Sequence, residues 1–339
     1  MCQLKELLLN LFVKFIQHDV VQKQLDVEFY ARNKKHNISN NIPTPYEYIK
    51  QYSNNTNKGA GIVFITGRFR SGSTLLWNVF RQIESCTAYY EPFNERRWFD
   101  ISSRGEHVDN THIGVNDYWK EYEGLTHLVN LYNESWISDE LLMDERSWNP
   151  NMLAYINYLI THAKGVPILQ FNRIDFRLPW LKHHYPISNI IHLYRNPRDQ
   201  WLSFLKDKSS MNKMDVEKTY VDNFYLDIWC KDLAKYFPFL SITETPHPYQ
   251  RFYYLWKLSF LFGQKYSDYS ICFEELIASP RDILNDLFIF IKMNSDIPWD
   301  NILNIIHKPE IGKWKSYADD SWYIDHEMIC ESILSSYLV

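Results

Sequence analysis

The sequence holds little of what would make a chain fibrous, cross-linked or membrane-spanning. Glycine numbers 10 and proline 14 in 339 residues, too few for collagen-like or long low-complexity segments. No internal repeat is present. The five cysteines stand at 2, 86, 230, 272 and 330, with no C-x-x-C pair and no zinc-finger spacing of Cys and His. They are expected to be buried free thiols in a reducing compartment, and no metal site is expected. Positive charge is not in excess: 36 Lys and Arg against 41 Asp and Glu leave a net charge of −5. That excludes a global nucleic-acid footprint, so an anionic ligand must be drawn by a local cluster. No apolar run reaches the roughly 20 residues of a spanning helix. The N-terminal MCQLKELLLNLFVKFIQ is interrupted by Lys5, Glu6, Asn10 and Lys14, and no small-residue cleavage site follows it. Its polar residues fall at helical spacing, so 1–55 is expected to be a helical segment packing on the domain, with membrane-surface contact as the alternative. Sequons at Asn37, Asn54 and Asn133 are close to chance in so Asn-rich a chain. A cytoplasmic location is the resulting expectation.

What is present is apolar and aromatic: 45% hydrophobic residues, with 24 Tyr, 20 Phe and 12 Trp. That suffices for one large α/β domain with a ring-lined pocket. Short apolar runs at 62–66, 86–90, 166–171, 189–194 and 269–273 read as buried strands. Helical periodicity fills 73–84, 151–163, 197–207, 216–236, 250–266 and 280–292. Strands alternating with helices predict an α/β fold, a mainly parallel central sheet flanked by helices. The organisation expected is one domain over 56–325, then a C-terminal helix or tail over 326–339. Residues 95–150, rich in Trp, Asp, Glu and Asn, are expected to be irregular with short helices.

The first strand runs into GRFRSGSTLLWN, residues 67–78. The spacing is that of a phosphate-cradling loop, G-x-x-x-x-G followed by Thr. A strand, a glycine turn and a helix start form an anion site, because the free first-turn amides and the helix dipole both favour phosphate-like oxygens. Ser73 stands where a nucleotide triphosphatase carries its lysine. Arg68 and Arg70 supply positive charge instead. No apolar strand ends in the Asp expected of a second Mg²⁺ ligand, so the loop reads as built for an anion neutralised by arginine.

RSGST at 70–74 resembles the 5′-phosphosulfate loop of sulfotransferases that use 3′-phosphoadenosine 5′-phosphosulfate (PAPS), a loop written [K/R]-x-G-[T/S]-[T/S]. IIHLYRNPRDQWLSF at 190–204 resembles their 3′-phosphate motif, an Arg at a strand end and a Ser eight residues on, here Arg195 and Ser203. YSICFEELIASPRDIL at 269–284 and HKPEIGKWKSY at 307–317 are similar to two further segments of the family. In them Phe273 replaces an adenine-side Tyr, Lys308 matches, and His307 and Pro309 depart from Arg and Gly. The resemblance implies the P-loop-like sulfotransferase fold, PAPS as donor without a metal, and donor contacts from Arg70, Ser71, Gly72, Ser73, Thr74, Leu75, Arg195, Ser203 and Lys308. Arg70 would also bridge the leaving phosphate and the sulfonate.

The reaction implied is sulfuryl transfer to a hydroxyl, or less readily an amine, of a small-molecule or carbohydrate acceptor. The Glu91-Pro92 pair ending the second strand is similar to carbohydrate-type and bacterial members, which makes Glu91 the candidate base. His112 and His127 are rivals, since the cytosolic branch uses a His. The other readings are a P-loop small-molecule kinase and a catalytically inactive nucleotide-binding module. Arg173, Asp175 and Arg177 either pair with one another or line the acceptor pocket, Phe224 to Trp229 reads as core, and His183-His184 reads as a surface turn.

Overall fold

The computed structural model describes residues 61–337 apart from 107, 110, 111, 113, 294 and 295, together with 14, 15, 18 and 21. The expected N-terminal segment, 1–55, lies almost wholly outside the described residues.

Five strands form the sheet: β1 Val63–Thr66, β2 Cys86–Tyr90, β3 Val166–Phe171, β4 Asn189–Tyr194 and β5 Tyr269–Cys272. Their order is β2-β3-β1-β4-β5 and every pairing is parallel. All residues of β1 and β4 are buried, as expected of parallel strands covered on both faces. The longer helices are α1 Ser73–Arg81, α2 Pro150–His162, α3 Leu178–His184, α4 Pro197–Phe204, α5 Leu226–Leu233, α6 Pro248–Tyr266, α7 Phe273–Ala278, α8 Pro280–Phe290, α9 Trp299–Ile305 and α10 Asp320–Tyr337. From β1 the chain goes to the edge at β2, returns to β3 and then crosses past β1 to β4. The order therefore reverses between β1 and β4, where α/β sheets bind ligands beyond the strands' C-terminal ends.

The expected helix 216–236 is two pieces, Val216–Thr219 and α5. Asp222 is the reason. Its carboxylate accepts from the amides of Phe224, Leu226 and Asp227 at 3.1, 3.0 and 2.9 Å, which fixes a new helix start at Leu226. His183 and His184 close the last turn of α3 instead of forming a loop.

α10 straddles the expected boundary at 325. It is pinned to the domain by a buried ion pair, Arg198 Nη2 to Glu327 Oε2 at 2.7 Å. Asp199 on the same helix α4 accepts the amides of Gly312 and Trp314 at 2.8 and 3.2 Å. One helix thus fixes both the C-terminal helix and the loop carrying Lys308. Among the described residues no helix is long and apolar enough to cross a membrane.

Candidate active site

The loops leaving the C-terminal ends of all five strands enclose one cleft of about 670 Å³. Gly72 caps α1 without a side-chain bond, at φ 96. A Cβ there would stand 2.3 Å from the Phe273 ring, so both the left-handed backbone and the packing demand glycine. The amides that open α1 are thereby left facing the cleft with the positive end of the helix dipole behind them. The exception is Leu75, whose amide donates to Gly72 O at 2.9 Å.

Arg70 stands at φ 67, which turns its side chain out of the loop. Its Nε donates to Ser203 Oγ at 3.0 Å, and Nη1 lies 3.7 Å from Asp109 Oδ2. Arg195 Nη1 donates to the Arg70 carbonyl at 3.2 Å, its guanidinium lies over the Phe273 ring at 4.9 Å, and Glu274 is 3.9 Å away. Burial pulls the Arg195 guanidinium below its ordinary pKa, against the raising effect of Glu274.

Glu91 is buried and held at φ 38. Asn172 Nδ2 donates to its Oε1 at 2.5 Å, while Asn94 Nδ2 and Arg173 Nη1 donate to Oε2 at 2.8 and 2.6 Å. Asn172 also accepts from Ser73 Oγ at 2.8 Å, which links the anion loop to the carboxylate through one side chain. Arg173 Nη2 holds Glu95 at 2.6 Å, and its guanidinium sits between the Phe69 and Tyr225 rings at 5.0 and 5.3 Å. Burial acts most strongly on Arg173, but Glu91 and Glu95 overcome it and raise its pKa. Tyr90, whose hydroxyl lies 3.2 Å from Thr74 Oγ1, stays protonated well above its ordinary range because of burial and then the Glu91 charge. Three of the six described non-glycine residues at positive φ are Arg70, Glu91 and Tyr225, all lining the cleft. Strained backbone of this kind gathers at functional sites.

Profile comparison matches the Sulfotransferase family over residues 63–296. The chain belongs to the sulfotransferase family. No curated protein sequence matches it. Among solved structures, the chain is similar to a sulfotransferase from Alicyclobacillus acidocaldarius at 14% identity, over 82% of this chain and 94% of the other, with a TM-score of 0.40. It is similar to the sulfotransferase domain from the curacin biosynthetic pathway at 18% identity, over 80% and 88%, with a TM-score of 0.42. Sulfotransferase STF9 from Mycobacterium avium gives 14% identity, 83% and 76% coverage, and 0.43. These likenesses are too remote to add to the assignment, which rests on the sequence match.

In this sulfotransferase the cleft brings together Arg70, Gly72, Ser73, Thr74, Leu75, Glu91, Arg195, Ser203 and Lys308. Ser71 is not among them. Its amide donates to Arg68 O at 3.1 Å and its side chain is buried beneath the loop. Arg68 also points inward, 3.9 Å from the buried Asp175 and over the Trp229 ring at 4.5 Å, so it adds no charge to the cleft. Of the rival histidines, His112 lines the cleft. Burial lowers its pKa, with Arg70 adding to the effect and Asp109 opposing it. His127 packs on Tyr158 at the exposed surface, centroids 5.4 Å apart. The Arg173, Asp175, Arg177 set splits three ways. Arg173 joins the cleft and Asp175 takes Arg68. Arg177 donates to the carbonyls of Trp136, Asp139, Glu140 and Arg173, clamping the loop before α2.

Phe224 and Tyr225 line the cleft although they read as core. Trp98, Tyr118, Arg96 and Lys206 also line it, and periodicity gives no sign of them. Among the described residues no group of three or more His, Cys, Asp or Glu is placed to hold a metal.

Proposed function

We propose that the protein moves a sulfuryl group from PAPS to a hydroxyl of a small-molecule or carbohydrate acceptor, releasing adenosine 3′,5′-bisphosphate. The observation that carries this reading is the direct tie between the two arginines, Arg195 Nη1 to Arg70 O at 3.2 Å. Two anion-binding groups at adjacent strand ends suit one ligand with two separated phosphates. The donor residues also fit such a ligand chemically: helix-start amides and Thr74 beside a full positive charge, then a second charge over a ring, Phe273.

The donor supplies an activated sulfonate on a phosphate leaving group. The protein's own work is positioning and charge stabilisation. Arg70 meets the charge that grows on the leaving oxygen. Ser203, which accepts from Arg70 Nε at 3.0 Å, holds that guanidinium in the cleft. Arg195 and Lys308 select the 3′-phosphorylated nucleotide. Glu91 takes the acceptor proton, and Asn172, Asn94 and Arg173 fix the carboxylate's direction.

A thermal-shift panel tests the donor. Adenosine 3′,5′-bisphosphate is expected to stabilise the protein more than AMP or ATP–Mg²⁺ does. Stabilisation confined to ATP–Mg²⁺ would refute the reading in favour of a kinase. Bisphosphate binding without transfer to any acceptor in a broad screen would favour an inactive nucleotide-binding module.

A further inference from the structure

Four arginines line the cleft. Three have a carboxylate within 4 Å: Arg70 beside Asp109, Arg173 between Glu91 and Glu95, and Arg195 beside Glu274. Arg96 has none among the described residues. Its place is nevertheless fixed. The Arg96 amide donates to Asn94 Oδ1 at 2.9 Å, and the Nδ2 of the same Asn94 donates to Glu91 Oε2 at 2.8 Å. One side chain therefore ties this arginine's backbone to the proposed base. The guanidinium lies over Gly105, with Nη1 3.7 Å from where a Cβ would stand. Its charge reaches the Tyr118 hydroxyl, opposing the upward pKa shift that burial imposes there.

Arg96 belongs to the β2 side of the cleft. It follows β2, the edge strand, whereas Arg195 follows β4, three strand spacings away, or about 14 Å. A charge there is poorly placed for the nucleotide's 3′ end. The wall beside it is aromatic: Tyr90 stacks on Tyr118 at 4.6 Å and Trp98 lies 5.2 Å from Tyr118. All three rings border the cleft while packed on one another and no more than 6% exposed, so they make a firm, largely apolar wall beside Arg96, of the kind that seats the ring of a small molecule.

Resting on the donor reading above, we propose that Arg96 binds an anionic group on the acceptor, so that the preferred acceptor is a hydroxylated ring bearing a carboxylate or sulfate. Glu91 receives the proton of the hydroxyl, and Arg96 sets which hydroxyl is presented.

The probes are 4-nitrophenyl β-D-glucuronide and 4-nitrophenyl β-D-glucoside, which differ in one carboxylate. Each is titrated by saturation-transfer NMR into the full-length protein saturated with adenosine 3′,5′-bisphosphate. The glucuronide is expected to bind about tenfold more tightly, the scale of one hydrogen bond to a charged group. Arg96→Gln is expected to erase that difference and Arg96→Lys to keep part of it, with melting temperatures confirming that both variants fold. Equal affinities, no detectable binding of either glycoside, or a preference that survives in Arg96→Gln would each overturn the proposal. Bisphosphate binding is read separately by thermal shift. Its presence without a glycoside preference removes only the Arg96 assignment, while its absence removes the donor reading and this one together.

Discussion

Replacing Arg195 with alanine separates a two-phosphate site from an ordinary nucleotide site. The guanidinium makes one bond to the protein within the cleft, to the Arg70 carbonyl at 3.2 Å, and its side chain is 15% exposed. A 3′-phosphate there would gain a charge-assisted hydrogen bond, about 1.5–3 kcal/mol. Removing it predicts a loss of about 10- to 150-fold in bisphosphate affinity. AMP has no 3′-phosphate. It feels the substitution only through a looser Arg70 carbonyl, about 1 kcal/mol or roughly fivefold. Isothermal titration of both ligands into wild type and Arg195→Ala gives the two ratios. Lys308 is exposed at the rim, so it can offset little of the loss. Equal losses for the two ligands would show that Arg195 supports the loop and does not read a phosphate.

Glu91→Gln is expected to lower turnover about 10²- to 10⁴-fold with bisphosphate affinity kept, whereas His112→Gln keeps most of the rate; the reverse pattern in steady-state kinetics moves the base to His112. Gly72→Ala is expected to abolish donor binding or folding because of the Phe273 contact at 2.3 Å, while Gly124→Ala, at φ 82 with nothing within 4 Å, costs about 1 kcal/mol in urea unfolding. Arg68→Met is expected to destabilise by about 3–5 kcal/mol, leaving Asp175 buried and unpaired, whereas Arg70→Met keeps stability and loses bisphosphate binding. Burial pushes His192 and His247 down to about 3. The unfolded chain binds these protons first, so stability is expected to fall as pH drops below about 6.5, and His247→Phe should flatten that slope in pH-dependent melting.

The sheet is legible because its strands are local and uniformly apolar. β2, β3 and β4 occupy the residues their apolar runs predict, and the parallel order follows from strands alternating with helices. The break at Asp222 is not legible. One carboxylate capping three amides overrides a helical period, and nothing in the period records it. The two strand ends that the proposal assigns to the donor are legible because each is joined to a helix start within a few residues. The β2-side wall of the cleft is not. Glu91 and Arg173 lie 82 residues apart in sequence, and Arg96, Trp98, His112 and Tyr118 come from aperiodic segments that only tertiary packing brings together.

Arg68 and Arg70 show where sequence alone stops. Both flank the same turn, and composition assigns them the same job. The turn itself separates them. Arg68 is turned inward, 5% exposed, where Asp175 at 3.9 Å offers the countercharge. Asp175 also accepts from the Thr66 and Ser259 hydroxyls at 2.6 and 2.8 Å, while burial outweighs these bonds and Arg68 and raises its pKa. Two residues later Arg70 stands at a left-handed φ of 67, and its side chain borders the cleft. A buried guanidinium needs a countercharge inside the protein, and Arg68 has one. Arg70 has Ser203 at 3.0 Å and the Asp109 carboxylate at 3.7 Å, but its side chain is 27% exposed against 5% for Arg68, and it borders the cleft. Arg68 is thus buried beside Asp175 while Arg70 borders the cleft, a difference that tertiary packing sets and residue type does not.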